Sequence, residues 1–292
     1  MRLQSVLPFI ASLTVAMCPL LAQERLPNSY LNYLAIAARL ERLTLDDVKG
    51  LASKAQSGEP VAQYLLALIY DQGRLLPRDR ESSRQWMLKA AEQGYVPAQV
   101  GLGEMYLANA RTGPVPDYPD AERWLRMAAT QGDAEAQFWL GAGYERGFFG
   151  VIDYREALKW LQMASAQGLP DAQFCVGGMY DAGEGVPESD EKAARWYRRA
   201  ADHFSDVSGV WEAEVQMDYM YRDGRLRKDY VEAYLWAAIV GSSGNPPDDT
   251  DMKRAARHMT KAQIVEAQRR TREWTKRHGP RPQSVVDQGV TN

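Results

Sequence analysis

Ala90-Ala91-Glu92-Gln93-Gly94-Tyr95-Val96-Pro97-Ala98-Gln99, continuing through Leu102 to Tyr106, reads as the end of one helix, a bend, and the start of the next. Gly94 suits the left-handed backbone conformation in which helices often stop. Ala98, Leu102 and Tyr106 then follow at i, i+4 and i+8, which share one helix face. The same pattern recurs along the chain. Ala62 and Tyr70, Ala136 and Tyr144, Ala172 and Tyr180, and Ala213 and Tyr221 are also eight residues apart, with apolar Leu66, Leu140, Val176 and Met217 midway. Each of these first helices therefore buries a stripe.

Downstream of each tyrosine the spacing predicts a turn and a second helix. The turns carry Gly73, Gly147, Gly183 and Gly224, with Asn109 in the second unit; the second helices carry Trp86, Trp124, Trp160, Trp196 and Trp236. Asp79, Asp120, Asp153, Asp190 and Asp229 stand where an aspartate can cap free backbone N–H groups at a helix start. Asp153 with Glu156 and Asp229 with Glu232 add the three-residue spacing of a reciprocal cap. The second helices end at Gly94, Gly132, Gly168 and Gly241, and the helix before the first unit ends at Gly58. The intervals of 36, 38 and 36 residues among the first four of these glycines mark stacked helix pairs.

The rest of the chain is read against this period. Met1-Arg2, a charge-free apolar run from Leu3 to Leu21, and Leu20-Leu21-Ala22 before Gln23-Glu24 form a signal peptide over residues 1–22. Pro8 and Pro19 interrupt the run, so it is not read as a spanning helix. Residues 23–61 are a leading amphipathic helix from Asn28 to Leu43 and a half-repeat cap starting at Thr44. Five repeats occupy 62–241, capping helices 242–279, and a Pro/Gln/Gly-rich disordered tail 280–292. Thr260-Lys261-Ala262-Gln263 has the spacing of a capping box. Two extra residues lie between Tyr106 and Trp124, and five between Ala201 and Ala213, where Phe204 replaces the terminating glycine. Such insertions map to loops on one side of a helical array.

Ala136-Gln137-Phe138-Trp139-Leu140-Gly141 with Tyr144, Gly183-Glu184-Gly185-Val186, and Ala121 to Trp124 followed by Ala128-Ala129-Thr130-Gln131-Gly132 resemble the Sel-one-like repeat, a relative of the tetratricopeptide repeat. The run from Met259 to Trp274 is similar to the closing segment of bacterial members. The fifth unit is the weakest, with Glu214 and Asp218 in place of the glutamine and the small residue. The resemblance implies an all-α fold, a right-handed α-solenoid of stacked antiparallel helix pairs. It also implies an adaptor or scaffold that binds proteins on its curved inner surface. For exported bacterial members it implies envelope-associated processes. A cysteine-rich branch is associated with penicillin binding and weak β-lactam hydrolysis, which makes a cell-wall-related enzyme or β-lactam-binding protein the alternative.

Composition and scattered reactive residues favour scaffolding. A formal charge of −3 and a pI near 5.8 offer no electrostatic case for nucleic acid. Without Cys18 in the signal peptide, Cys175 is the one cysteine left, so the paired cysteines of the β-lactam-binding branch are missing. Cys175 itself reads as a buried small hydrophobe. His203, His258 and His278 are isolated, with no metal-ligand spacing, so no metal, cofactor or catalytic residue is assigned. Gly101-Leu102-Gly103 and Gly141-Ala142-Gly143 lack a preceding strand and a phosphate-binding lysine, and read as close helix contacts.

A partner-binding groove is instead expected opposite the buried stripes, three, six and ten residues after each alanine. From these positions Leu65, Leu68, Gln72, Glu104, Trp139, Arg146 and Tyr219 are the candidate contacts, with an aromatic and an arginine one turn apart on the third unit. The expected partner is a protein or peptide, with no nucleic acid and no stable membrane insertion after cleavage. The expected location is the periplasm of a Gram-negative bacterium or the secreted space.

Overall fold

A computed structural model describes residues 28–112, 118–202, 208–226, 229–241 and 250–278. Among the described residues there are helices and no strands. The signal segment, His203, Phe204, the prolines at 114 and 116, and the tail from 280 lie outside them. The chain divides into two compact units, Met1–Leu169 and Pro170–Asn292. No helix among the described residues is long and apolar enough to cross a membrane.

The first unit holds α1 (Asn28–Arg42), α2 (Leu45–Gln56), α3 (Pro60–Gln72), α4 (Arg80–Glu92), α5 (Val96–Thr112), α6 (Tyr118–Thr130), α7 (Ala134–Glu145) and α8 (Tyr154–Ala166). Helices α3/α4, α5/α6 and α7/α8 form tight antiparallel pairs, α4 packs on α5, and α6 packs on α7. Ala62 and Leu66, Ala98 and Leu102, and Ala136 and Leu140 are buried as the period requires.

The close packing depends on missing side chains. A Cβ added at Gly103 would stand 2.4 Å from Leu125, and one at Gly141 would stand 2.5 Å from Leu161. The small residues are there so that a leucine from the paired helix can enter, as expected for helices that approach closely. The terminal glycines Gly58, Gly94, Gly132 and Gly168 and the turn glycines Gly73 and Gly147 all have positive φ.

Sequence reading missed a buried amide ladder at the opposite ends of the hairpins. Gln63, Gln99 and Gln137 are buried near the starts of the first helices. Each donates its side-chain N–H to a carbonyl of the helix before it: Ala55, Ala91 and Ala129, at 3.1, 3.2 and 3.1 Å. Each also accepts from a glutamine at the end of its own second helix: Gln93, Gln131 and Gln167, at 2.7, 2.8 and 2.8 Å. Each carbonyl also accepts the backbone N–H of the terminating glycine, Gly58, Gly94 or Gly132, at 3.2, 2.9 and 3.0 Å, so the amide takes up its second lone pair. The signal was present in the repeated Ala-Gln and Gln-Gly dipeptides, but only folding shows that they meet.

Local details depart from expectation in three places. Asp79 and Asp153 cap α4 and α8, each accepting two backbone N–H bonds. Asp120, however, lies inside α6, which starts two residues earlier at Tyr118. Asn109 makes no turn, because α5 continues to Thr112. Trp86 is half-buried, with Lys89 4.2 Å above its ring, whereas Trp124 and Trp160 are core.

The second unit holds α9 (Pro170–Ala182), α10 (Asp190–Ala201), α11 (Ser208–Arg222), α12 (Tyr230–Gly241), α13 (Thr250–Ala256) and α14 (Lys261–His278). Here Ser189, not Asp190, is the cap of α10. Asp229 accepts from the N–H groups of Val231 and Glu232 at the start of α12. Tyr197 enters beside Gly177, where an added Cβ would meet it at 2.7 Å, and neighbouring Trp196 stays half-buried. Helix α14 opens with the expected Thr260/Gln263 capping box and packs on α12. Trp274 joins the core of Met217, Met220 and Trp236. His278 stacks on Trp274 with ring centroids 4.1 Å apart, and its nitrogens face the carbonyls of Trp274 and Asp202.

Candidate partner-binding face

The candidate residues sit on the first helices. On α3, Leu68 is half-buried and Gln72 is exposed. Leu65 is a correction: at 1% exposure it belongs to the core with Leu40, Val48 and Leu51, closed off by the helices before it. Its position three residues after the alanine points toward the preceding helix, not outward.

Helices α5 and α7 lie side by side, and this adjacency brings two candidates together. The indole Nε1–H of Trp139 donates to Oε1 of Glu104 at 2.9 Å. Phe138 lies beside Trp139, ring centroids 5.3 Å apart. Burial raises the Glu104 carboxyl to about 7, the Trp139 donor opposes this, and the field of Asp133 adds to it. Asp133 is the cap of α7, accepting from the Ala136 N–H at 2.9 Å, and burial raises its carboxyl too. Arg146, exposed, closes the C-terminal end of the same helix. The face therefore carries a weakly ionised acid and an aromatic in its middle, with a cation at one end.

The Glu104 carboxyl accepts from the Trp139 indole, and its titrating neighbour is another carboxyl, Asp133, which caps a helix. Among the described residues no group of three or more His, Cys, Asp or Glu is placed to hold a metal.

One element crosses this face. Helix α1 lies against both α3 and α7, the first helices on either side of α5. Its Ala37 and Leu40 are buried, and Ile36 packs on the same two hydrophobic clusters as Leu68. The Arg39 guanidinium lies close enough to Tyr95 to lower its hydroxyl against the raising effect of burial. Arg74 donates to the carbonyl of Leu40 and, at 3.4 Å, to that of Leu43, holding the C-terminal end of α1 where helix carbonyls lack partners. The apolar spacing of α1 was legible in sequence, but its seat across the candidate groove was not.

In the second unit Tyr219 is 40% exposed on α11. Cys175 on α9 is half-buried, more open than the buried reading expected.

Comparison with known proteins adds identity to geometry. A family model described as Sel1 repeat matches residues 60–95, 96–133, 134–169, 170–203 and 213–239, more than half of the chain. A solved Sel1 repeat protein from Oxalobacter formigenes is 29% identical, over 77% of this chain and 65% of that one, with a TM-score of 0.61. A protective antigen of uropathogenic Escherichia coli with an SLR fold is 24% identical, over 86% and 62%, with a TM-score of 0.46. A Sel1 repeat protein from Klebsiella pneumoniae is 23% identical, over 72% and 99%, with a TM-score of 0.45. The chain thus spans less than two thirds of the first two relatives. No curated protein matches it.

Proposed function

Because the chain belongs to the Sel1 repeat family, we propose that it is an exported, non-catalytic scaffold that binds a helical segment of a partner protein along its first helices. The observation that carries this reading is the seating of α1: an amphipathic helix already lies across α3 and α7. A surface that accepts one apolar helix face offers the grooves and anchors that another can use. Trp139 and Arg146 supply an aromatic and an arginine there, the residue types over-represented among binding hot spots. Glu104 holds the Trp139 indole, Leu68 and Gln72 lie on α3 of the same unit, and Tyr219 is a separate anchor in the second. The apolar leader of residues 1–22 supports delivery to the bacterial periplasm or beyond.

The test is capture from a bacterial envelope extract with the purified chain and with Trp139→Ala plus Arg146→Ala. The expected result is a partner that is lost from the double variant while its helical circular dichroism is unchanged. Retention of every partner by the folded variant overturns the face assignment. Turnover of nitrocefin above blank by the purified chain overturns the non-catalytic part.

A further inference from the structure

Three hairpin turns in the protein, between α3 and α4, α7 and α8, and α9 and α10, are built to one plan. Each ends on a helix cap, Asp79, Asp153 or Ser189. The backbone N–H of that cap donates to the carbonyl of the tyrosine that closes the buried stripe, Tyr70, Tyr144 or Tyr180, at 3.1, 3.0 and 2.9 Å. A glycine three residues after the tyrosine, Gly73, Gly147 or Gly183, has a φ of 68, 71 and 71°. A Cβ added there would press on the residue just before the cap, Arg78, Ile152 or Glu188, at 2.9, 3.0 and 3.3 Å. The turns can therefore be compared position by position, counting back from the cap.

That comparison sets the turn between α7 and α8 apart. Ile152 stands where the other two have Arg78 and Glu188, and Phe148 where they have Arg74 and Glu184. Charged side chains serve the fold at both positions, so the backbone does not require apolar ones. Val151 and Ile152 are nevertheless 64% and 58% exposed, and among the described residues they are the one pair of exposed large apolar side chains adjacent in the chain. The support beneath them is fixed. The Phe148 N–H donates to the Gly143 carbonyl at 2.9 Å. Phe149 fills the space beside Gly143, where an added Cβ would meet its ring at 2.2 Å, and sets its ring edge-on to Tyr144 with centroids 5.2 Å apart. Phe148 stacks on Tyr118.

Two cations flank the tip. Arg146 and Arg155 are exposed, and neither has an ion-pair partner among the described residues. Of the acids beside them, Asp153 accepts the N–H groups of Arg155 and Glu156 as the cap of α8, Glu156 pairs with Lys159 at 3.4 Å, and Glu145 is half-buried.

We propose that this turn touches the surface of an anionic phospholipid bilayer, with Val151 and Ile152 entering the interface and the two arginines meeting lipid phosphates. A stable protein interface takes roughly 800 Å² from each partner, far more than two side chains at a turn tip supply. A bilayer receives a small apolar tip without shape complementarity and attracts the cations around it. A second copy seated tip to tip would set its own arginines against these. Contact of this kind is peripheral and needs no spanning helix, and the described residues contain none. It does not depend on the scaffold reading, and Trp139 takes no part in it.

The probe is the whole chain with phosphatidylcholine vesicles, with and without an equal share of phosphatidylglycerol. The readout is amide hydrogen exchange in residues 147–155, which reports on this turn whatever the apolar leader does with lipid. Vesicles containing phosphatidylglycerol are expected to slow that exchange about three-fold or more, phosphatidylcholine alone to slow it less, and added salt to reverse the effect. Val151→Ser plus Ile152→Glu, which puts the residue type of Glu188 at the equivalent position, is expected to abolish the slowing with helical circular dichroism unchanged. Arg155→Gln is expected to weaken it.

No slowing in the unaltered chain, or equal slowing in the folded double variant, overturns the proposal. If the double variant does not fold, the unaltered chain decides: slowing that is the same with and without phosphatidylglycerol overturns it. Slowing that grows with protein concentration in the absence of lipid makes a second copy the occupant and overturns it too. Loss of an envelope partner on Trp139→Ala plus Arg146→Ala bears on the scaffold reading alone.

Discussion

Glu104 is where the chemistry of one residue becomes measurable. An acid held at about 7 in the folded state and near 4.3 in the unfolded chain keeps its proton on folding between those values. The folded state then binds more protons than the unfolded state, so stability falls as pH rises from about 4 to about 7 and levels off above. Glu104→Gln removes that slope while keeping an acceptor for the Trp139 indole. Urea unfolding should find the variant equal to the parent near pH 4 and more stable by about 1–2 kcal/mol at pH 8, a figure kept low because the side chain is only half-buried. A parent that gains stability relative to the variant on going to pH 8 would contradict the buried-acid account.

Gly141 makes a purely steric argument at the same scale. An added methyl would lie 2.5 Å from Leu161 and 3.1 Å from the backbone carbonyl of Ala157. The leucine can turn aside; the carbonyl cannot. Gly141→Ala gains helix propensity of about 1 kcal/mol but forces α7 and α8 apart, which costs about 1–3 kcal/mol. A net loss of about 0–2 kcal/mol is expected by thermal melting, and a net gain would mean that the helices yield freely.

At the scale of the element, α14 shows how a closing helix is fastened. Glu232 on α12, only 6% exposed, accepts from Arg198 of α10 at 2.6 Å, from Arg270 of α14, and from its own helix's Trp236 at 3.2 Å. One carboxylate thus ties three helices. Both arginines keep a third or more of their side chains in solvent, so removing the carboxylate does not strand a buried cation, and the full cost of breaking a buried pair does not apply. Glu232→Gln should therefore cost about 1–2 kcal/mol. Hydrogen exchange should rise in α14 before it rises in α10, since among the described residues α14 packs along α12, whereas α10 packs along both α9 and α11.

At the scale of the molecule, legibility in the sequence tracked repetition. The helix pairs, their glycine stops and the capping box at Thr260 could be read because each unit needs the same small and large side chains at the same places. Asp120 and Asp190 misled because a helix can begin one or two residues before the best capping residue when Tyr118 or Ser189 offers another start. Leu65 misled because a position facing away from its own hairpin can still face the preceding helix. The seat of α1 was invisible for a deeper reason. An amphipathic pattern states that one side must be covered, and only the assembled surface decides by what.

The amide ladder has a consequence for how such a chain can change over time. Its donors and acceptors lie at the beginnings of the first helices and the ends of the second, whereas the extra residues between Tyr106 and Trp124 fall at the other end of that hairpin. A gene that gained or lost one whole repeat would rejoin a glutamine to an equivalent carbonyl, and the seam would close unmarked. A gene broken inside a repeat would leave an amide facing nothing. Recombination is thereby steered to whole units along one edge, while the opposite edge is left open to drift in length and sequence.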